Sequence, residues 1–151
     1  MDEISKLPST IPIFPLSNFI IFPNTTVPLN IFEPRYIQMI DDSMKSHRMI
    51  GMIQPKKSGE LKKPDLYEVG CIGKITSFNE TEDGRYLIII NGVSRFSIDQ
   101  EIKTDKLYRS CKVNYQNYKE DLDNKIVKFA IKDLDKILDD LKSLFDHNRN
   151  F

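Results

Sequence analysis

Several features that mark common classes of protein are scarce in this sequence. Cysteine occurs only as Cys71 and Cys111, which form no Cys-x-x-Cys pair and no zinc-ligand spacing. We therefore expect two reduced thiols packed in the core of a cytosolic protein. A chain of 151 residues can also bury enough apolar surface to fold without a disulfide or a metal ion. The composition thus argues against a disulfide-stapled secreted domain and against a zinc module.

An excess of charge of either sign is missing as well. The 22 basic and 22 acidic residues cancel, so the chain lacks the bulk charge of a dedicated nucleic-acid-binding protein. No apolar run approaches the roughly 18 residues that suggest a membrane span. The acidic start, Met1-Asp2-Glu3, is unlike the basic start of a secretory signal. These features predict a cytoplasmic protein that does not enter membranes, with nucleic acid an unfavoured partner.

Sequence motifs of catalysis are also absent. The segment Gly70 to Lys74 lacks the spacing and the following Ser or Thr of a phosphate-binding loop. There is no Gly-x-Gly-x-x-Gly, no His-Glu-x-x-His and no Gly-x-Ser-x-Gly motif. His47 and His147 lie far apart along the chain, each near the carboxyl end of a predicted helix. We expect no catalytic residue, no cofactor and no metal site, although the fold could still assemble a Ser–Lys or Cys–His pair.

The first half of the chain combines proline with large apolar side chains. Five prolines within residues 8–28 separate short apolar runs, which predicts strands at sheet edges or bends because proline donates no ladder hydrogen bond. Pro34 is expected to begin a helix, since the first helical position needs no amide hydrogen. Residues 50–53 are predicted to form a short strand, and residues 55–64 a solvated loop.

From Tyr67 onward, apolar residues recur at every second position, which predicts β-strands. Asp83-Gly84 predicts a hairpin turn, and Asn91-Gly92 a bulge or bend. The return strand, residues 86–90, is apolar on both faces, so we expect both faces to be covered, as in a small closed barrel. A further alternating segment ends at Tyr115.

The last part of the chain has a different pattern. Residues 120–146 contain no glycine and no proline, and their apolar residues recur at intervals of three and four. This spacing predicts a long amphipathic helix. Its apolar face is wider than one barrel surface would cover, so we expect a further partner there, such as a second copy of the chain.

Four motifs occur in a characteristic order: Phe14-Pro15-Leu16, Ile31-Phe32-Glu33-Pro34-Arg35-Tyr36, Gly70-Cys71-Ile72-Gly73 and Gly92-Val93-Ser94-Arg95-Phe96. Together they resemble the amino-terminal substrate-recognition domain of the ATP-dependent Lon proteases, over residues 9–118. The resemblance implies an α+β, mainly β fold: a PUA-like pseudo-barrel of about six strands with one packed helix, over residues 1–118. A carboxyl-terminal helical extension over residues 119–151 is expected to follow.

The implied function is the recognition of polypeptide rather than catalysis. Because the sequence holds no phosphate-binding loop, it is more similar to the stand-alone Lon-domain proteins of bacteria, which lack the ATPase and protease domains. The expected partners are unfolded polypeptides or protein clients. RNA binding is the alternative, because PUA-like barrels often bind RNA. A third possibility, hydrolase activity, has no supporting motif.

The resemblance supplies no catalytic residue, so the candidate site residues are of two other kinds. The candidate peptide-binding residues are aromatic: Phe19, Phe22, Phe32 and Tyr36. The residues expected to have structural roles are Glu33, Pro34, Arg35, Gly70, Gly73, Gly92, Arg95 and Phe96. Among these, Glu33 and Arg35 are expected to fix the helix onto the barrel, and Glu33 is one candidate partner for Arg95. The three glycines are expected to serve backbone geometry.

Overall fold

The computed structural model describes residues 6–17, 21–56 and 65–122. The elements, in chain order, are β1 (Thr10–Pro15), β2 (Thr26–Ile31), α1 (Pro34–Met44), β3 (Met49–Ile53), β4 (Val69–Glu80), β5 (Tyr86–Ile102), β6 (Arg109–Asn114) and a 3-10 segment (Gln116–Leu122). The prediction of a mainly β fold with six strands and one packed α-helix is confirmed.

Five of the strands form a closed ring. Each of β5, β4, β3, β1 and β6 pairs with the next, and β6 pairs again with β5. Only β1 and β3 run parallel, whereas the other pairs are antiparallel. The sixth strand, β2, lies outside the ring and pairs with the first half of β5. The ring therefore leaves β2 as an edge strand, which suits the proline at position 28.

Helix α1 begins at Pro34, as predicted, and presents Tyr36, Met39 and Ile40 to the core. Two tyrosine hydroxyls attach its solvent-facing side to the sheet. The Tyr86 hydroxyl of β5 donates to Asp41 Oδ1 at 2.7 Å. The hydroxyl of Tyr108, just before β6, donates to Asp42 Oδ2 at 2.6 Å. Apolar burial and these two hydrogen bonds together hold the helix against the barrel.

The hairpin before β5 follows the prediction, since Gly84 has a φ of 84°. The expectation that both faces of residues 86–90 are covered is wrong. Ile88 and Ile90 are buried, but Leu87 is 44% exposed and Ile89 is 37% exposed. Here β5 lies between β2 and β4 in a part of the sheet that has the core on one face and solvent on the other. In residues 86–90, apolar side chains lie on both faces of the strand, but only one face is buried.

The predicted bulge near Asn91-Gly92 is confirmed. The pairing of β4 with β5 shifts register between Ile72 and Gly73, opposite Gly92 to Ser94. A bulge bends a strand and increases its twist. At this point β5 leaves β2 and continues toward β6, so a single strand of 17 residues takes part in both regions of the sheet.

Both cysteines are buried in the core and neither is in a disulfide, as predicted. No helix in the described ranges has the length and apolarity that crossing a membrane requires. Beyond Leu122, the predicted terminal helix and its possible role in self-association lie outside the described residues.

Candidate functional site

A surface groove of about 600 Å³ lies where β3 ends and β4 begins. Its lining is mainly apolar and comes from four parts of the chain: the segment before β2, the end of β3 with the residues after it, the start of β4, and β5. The lining residues are Ile21, Phe22, Met52, Ile53, Gln54, Lys56, Tyr67, Glu68, Val69, Gly70, Cys71 and Arg95. We call this surface the β3–β4 groove.

The rim of the β3–β4 groove carries two exposed apolar side chains. Tyr67 is 50% exposed and Val69 is 44% exposed. Backbone hydrogen bonds fix this rim on both sides. The Tyr67 N–H donates to the Gln54 carbonyl at 3.0 Å, and the Ile98 N–H donates to the Glu68 carbonyl at 2.8 Å. The backbone that carries the two side chains is thus hydrogen-bonded on both sides, and both side chains remain about half exposed.

A second wall of the groove, formed by Ile21 and Phe22, belongs to a segment that is hydrogen-bonded to β5 at Gly92. The Gly92 N–H donates to the Thr25 carbonyl at 2.8 Å, and the Asn24 N–H donates to the Gly92 carbonyl at 2.7 Å. A Cβ atom at Gly92 would overlap the carbonyl oxygen of Phe22. Glycine at this position therefore lets the wall lie directly on the strand, with Phe22 beside the groove.

Gly70 and Gly73 also allow neighbouring residues to approach the strand closely. A Cβ atom at Gly70 would lie 2.5 Å from the Met52 carbonyl oxygen and 2.6 Å from the ring of Phe96. Gly73 approaches the side chain of Ile90 too closely for a Cβ atom to fit between them. The expectation that these glycines serve backbone geometry is supported by close approach, not by a left-handed φ, which Gly84 alone shows among the described glycines.

Arg95 places a cation at the groove and is held by the 3-10 segment. Its Nε donates to Asp121 Oδ2 and its Nη2 to Asp121 Oδ1, both at 2.9 Å. The Arg95 backbone N–H also donates to Asp121 Oδ2 at 2.9 Å. The guanidinium carbon lies 4.8 Å from the centroid of the Tyr118 ring, and Glu120 is 3.5 Å from Nη2. The hydrogen bond to Asp121 raises the pKa of Arg95 above its usual range.

The predicted aromatic residues do not come together at one surface. Phe22 lines the β3–β4 groove, whereas Phe32 is 47% exposed but is not among the lining residues. Tyr36 is only 6% exposed, and its ring centroid lies 4.3 Å from that of Phe14 in the core. The prediction for Tyr36 is therefore wrong, because its ring is already packed. Phe19 lies outside the described residues.

The charged motif residues also differ from expectation. Glu33 and Arg35 pair with each other at 3.0 Å, and neither reaches the barrel through this contact. Glu33 is not a partner of Arg95, because Asp121 and Glu120 hold that guanidinium. Phe96 is fully buried, where its ring packs beneath Gly70.

The described residues offer little reactive chemistry. Burial raises the pKa of the Cys71 thiol, at the floor of the groove, to about 12. Burial likewise raises the pKa of Cys111 to about 11. A thiol in such a state is a poor nucleophile. Within the described ranges, no cluster of three His, Cys, Asp or Glu residues could hold a metal ion.

Comparison with known proteins identifies the family of the chain. Residues 10–150 match the family model described as the ATP-dependent protease La (LON) substrate-binding domain. The chain belongs to this family. It is 36% identical to the Lon protease of Desulfosudis oleivorans over 104 residues, covering 66% of this chain and 13% of that protein. It is 31% identical to the Lon protease of Cytophaga hutchinsonii over 116 residues, covering 76% and 14%.

The chain thus spans only about one seventh of these Lon proteases. Solved structures agree on the fold. The Lon N-terminal domain protein from Xanthomonas campestris aligns with a TM-score of 0.58 at 22% identity, covering 72% of this chain and 60% of that one. The N-terminal domain of the Mycobacterium avium complex Lon protease aligns with a TM-score of 0.53 at 16% identity, covering 70% and 54%.

Sequence reasoning missed Tyr67, Val69 and Asp121. Tyr67 and Val69 fit the alternating pattern of a strand, and only the structure shows that they are left uncovered at its start. Asp121 is 26 residues from Arg95 and past the predicted domain boundary at 118. That boundary stays a prediction, although Asp121 is firmly attached to β5.

Proposed function

We propose that this chain is a non-catalytic module that binds unfolded polypeptide in the β3–β4 groove. The observation that carries the proposal is the pair of exposed apolar side chains, Tyr67 and Val69, on a rim whose backbone is hydrogen-bonded on both sides. The chain's membership of the Lon substrate-binding domain family supports it. A cytoplasmic location and the lack of an ATPase or protease domain remain predictions from sequence.

The groove suits a few apolar side chains of an extended segment. Its volume of about 600 Å³ is in the range of small-molecule pockets, which is enough space for a few side chains. Tyr67, Val69 and Phe22 all line the groove and present apolar surface that a bound segment would remove from water, at about 25 cal/mol per Å². Unfolded chains expose such segments, whereas folded proteins bury them.

The test compares two equally exposed apolar residues on strands. Val69 of the groove and Leu87 on the outer face of β5 are each 44% exposed. Binding of a fluorescein-labelled, reduced and carboxymethylated polypeptide is measured by anisotropy for Val69→Lys, Leu87→Lys and the unchanged protein. We expect Val69→Lys to weaken binding at least about tenfold, or 1.4 kcal/mol, and Leu87→Lys to leave it within about twofold. Equal losses in both variants, or no binding by the unchanged protein, would contradict the proposal.

The same titration addresses the RNA alternative. Among the described lining residues, Arg95 is paired with Asp121, and the charge of Glu68 offsets that of Lys56, which leaves little net positive charge for a phosphate backbone. Polypeptide binding through apolar contacts is expected to change little between low and moderate salt. Tight binding of single-stranded RNA that falls steeply with salt would instead favour the alternative.

A further inference from the structure

Among the described residues, the partners of the Arg95 side chain leave one nitrogen of its guanidinium unoccupied. Its Nε and Nη2 atoms donate to Asp121, and one face of the guanidinium is covered by the Tyr118 ring. Among the described residues, the remaining nitrogen, Nη1, has no acceptor. Arg95 itself lines the β3–β4 groove, and its side chain is 45% exposed. Arg95 therefore brings to the groove a guanidinium whose Nη1 hydrogens are accepted by no described residue, in an orientation set by Asp121.

The chemistry around Arg95 favours a neutral acceptor over a charged one. Asp121 supplies a full counter-charge at hydrogen-bond distance, and Glu120 adds a second carboxylate 3.5 Å from Nη2. A further carboxylate brought by a ligand would meet these like charges. A backbone carbonyl oxygen accepts the same hydrogen bond and brings no net charge. Every extended polypeptide presents such carbonyls, whatever its sequence.

From this geometry we infer that Arg95 Nη1 donates a hydrogen bond to a backbone carbonyl of the polypeptide bound in the β3–β4 groove, and that Asp121 positions it. The inference rests on the proposed function and specifies how the groove holds main chain. Apolar side chains contact Tyr67 and Val69, while the arginine fixes the backbone. The site thus selects an extended, apolar segment without needing an acidic residue.

Asp121 is a positioning residue in this arrangement, because it does not line the groove and acts through Arg95. Its two oxygens match the fork of the guanidinium, which fixes the direction of Nη1. Lysine in place of Arg95 has one nitrogen and cannot bind Asp121 at two points while donating to a ligand in a fixed direction. The segment Gln116–Leu122 therefore helps to shape a site to which it contributes no lining residue.

The experiment uses two peptides of the same apolar sequence without Asp or Glu, one amidated and one with a free carboxyl end. Their affinities are measured by calorimetry for the unchanged chain, Arg95→Gln, Arg95→Lys, Asp121→Asn and Asp121→Glu. Arg109→Gln is the matched control, because Arg109 pairs with Glu101 at 2.6 Å in the same two-point manner but does not line the groove.

We expect the unchanged chain to bind both peptides with similar affinity. Arg95→Gln and Arg95→Lys should each weaken both peptides about tenfold, as expected for one hydrogen bond to a charged group. Asp121→Asn should weaken both severalfold, Asp121→Glu should recover most of that loss, and Arg109→Gln should change neither. Circular dichroism checks that each variant is folded. If Arg95→Gln does not fold, the double variant Arg95→Gln/Asp121→Asn, which lacks the unpaired buried carboxylate, replaces it.

A second readout reports the hydrogen bond itself. Peptides with single ¹³C-labelled carbonyls should show one amide band that moves to lower frequency on binding to the unchanged chain but not to folded Arg95→Gln. Unchanged affinity in folded Arg95→Gln, with Val69→Lys still defective, would overturn this inference and leave the proposed function standing. Loss of affinity for the free-carboxyl peptide alone would also overturn it, since Arg95 would then bind a carboxylate. No binding by the unchanged chain would contradict the proposed function as well.

Discussion

Arg35 and Arg95 are almost equally exposed, at 43% and 45% of their side chains, yet they serve different parts of the structure. Arg35 pairs with Glu33, two residues away, at the exposed start of α1. Arg95 pairs with Asp121, 26 residues away, whose side chain is only 8% exposed. The difference shows that the exposure of an arginine says little about its role. The burial of its partner, and the distance between the two along the chain, say more.

The energetic consequence follows from solvation. Two exposed charged side chains in one local segment give up hydrogen bonds to water when they pair. Their ion pair therefore adds little to the free energy of unfolding. A buried carboxylate that loses its counter-charge is still without its hydration shell, and this uncompensated charge destabilises the folded state. The start of α1 should therefore tolerate charge removal, whereas the junction between β5 and the 3-10 segment should not. Substitutions in the two regions test this contrast.

Arg95→Ala should destabilise the fold by about 3 kcal/mol, because it leaves the buried Asp121 carboxylate without a counter-charge. The measurement is urea denaturation followed by circular dichroism. In the double variant Arg95→Ala/Asp121→Asn the buried charge is gone, so part of the loss should be recovered. A double variant as unstable as the sum of the two single changes would show that the pair is not coupled.

Gly92→Ala should cost about 2 kcal/mol, within the range for forcing an extra group into a packed site. The added Cβ atom would overlap the Phe22 carbonyl oxygen, so the wall of the groove must move. Gly84→Asn is the matched control, since no atom lies within 4 Å of a Cβ at that position and asparagine tolerates a positive φ. Thermal unfolding of both variants checks the difference. Equal losses would mean that Gly92 is needed for some reason other than close approach.

The carboxyl end of α1 should respond to acid through His47. Burial lowers the pKa of His47 from 6.5, and its Nδ1 accepts a hydrogen bond from the Met49 N–H at 3.0 Å, which requires a neutral ring. The unfolded chain therefore takes up this proton more readily than the folded one. The free energy of unfolding should fall as the pH drops below 6.5, toward the lower pKa of the folded state.

The control for that titration is His47→Gln, which keeps an acceptor but does not titrate. Urea denaturation between about pH 5 and pH 7 should show a weaker dependence on pH in the variant than in the unchanged chain. Parallel curves would indicate that other groups carry the pH dependence in this range.

The smallest effect is expected at the start of α1. Glu33→Ala should change stability by no more than about 0.5 kcal/mol, because its ion pair is exposed. Arg35→Ala should cost no more than about 1 kcal/mol, because its guanidinium also lies 4.6 Å from the centroid of the Tyr36 ring. Melting temperatures measured beside that of Arg95→Ala give the comparison directly. A loss at Arg35 as large as that at Arg95 would remove the distinction between the two regions.

Local signals in the sequence were enough to predict much of the fold. Proline at the first helical position marked α1, Asp83-Gly84 marked the hairpin, and Asn91-Gly92 marked the bulge in β5. Each of these depends on the backbone preferences of one or two residues, which act without the rest of the chain. The family resemblance then supplied the six-stranded architecture.

Tertiary contacts were harder to predict. The continuous apolar run of residues 86–90 could not show which face lacks a covering layer, because isoleucine and tyrosine favour strands whether or not both faces are buried. The partner of Arg95 could not be chosen from sequence among many carboxylates. The sequence predicts Tyr36 as a peptide-binding aromatic residue, but helical packing places its ring against Phe14. These outcomes depend on contacts between residues far apart along the chain.

The most direct test of polypeptide binding in the β3–β4 groove is a nuclear magnetic resonance titration. The ¹⁵N-labelled chain is titrated with an unlabelled, reduced and carboxymethylated polypeptide. The account predicts that amide shifts change chiefly at Ile53, Gln54 and Tyr67 to Cys71, with little change at Leu87 and Ile89. Changes confined to the outer face of β5, or none at saturating polypeptide, would contradict it.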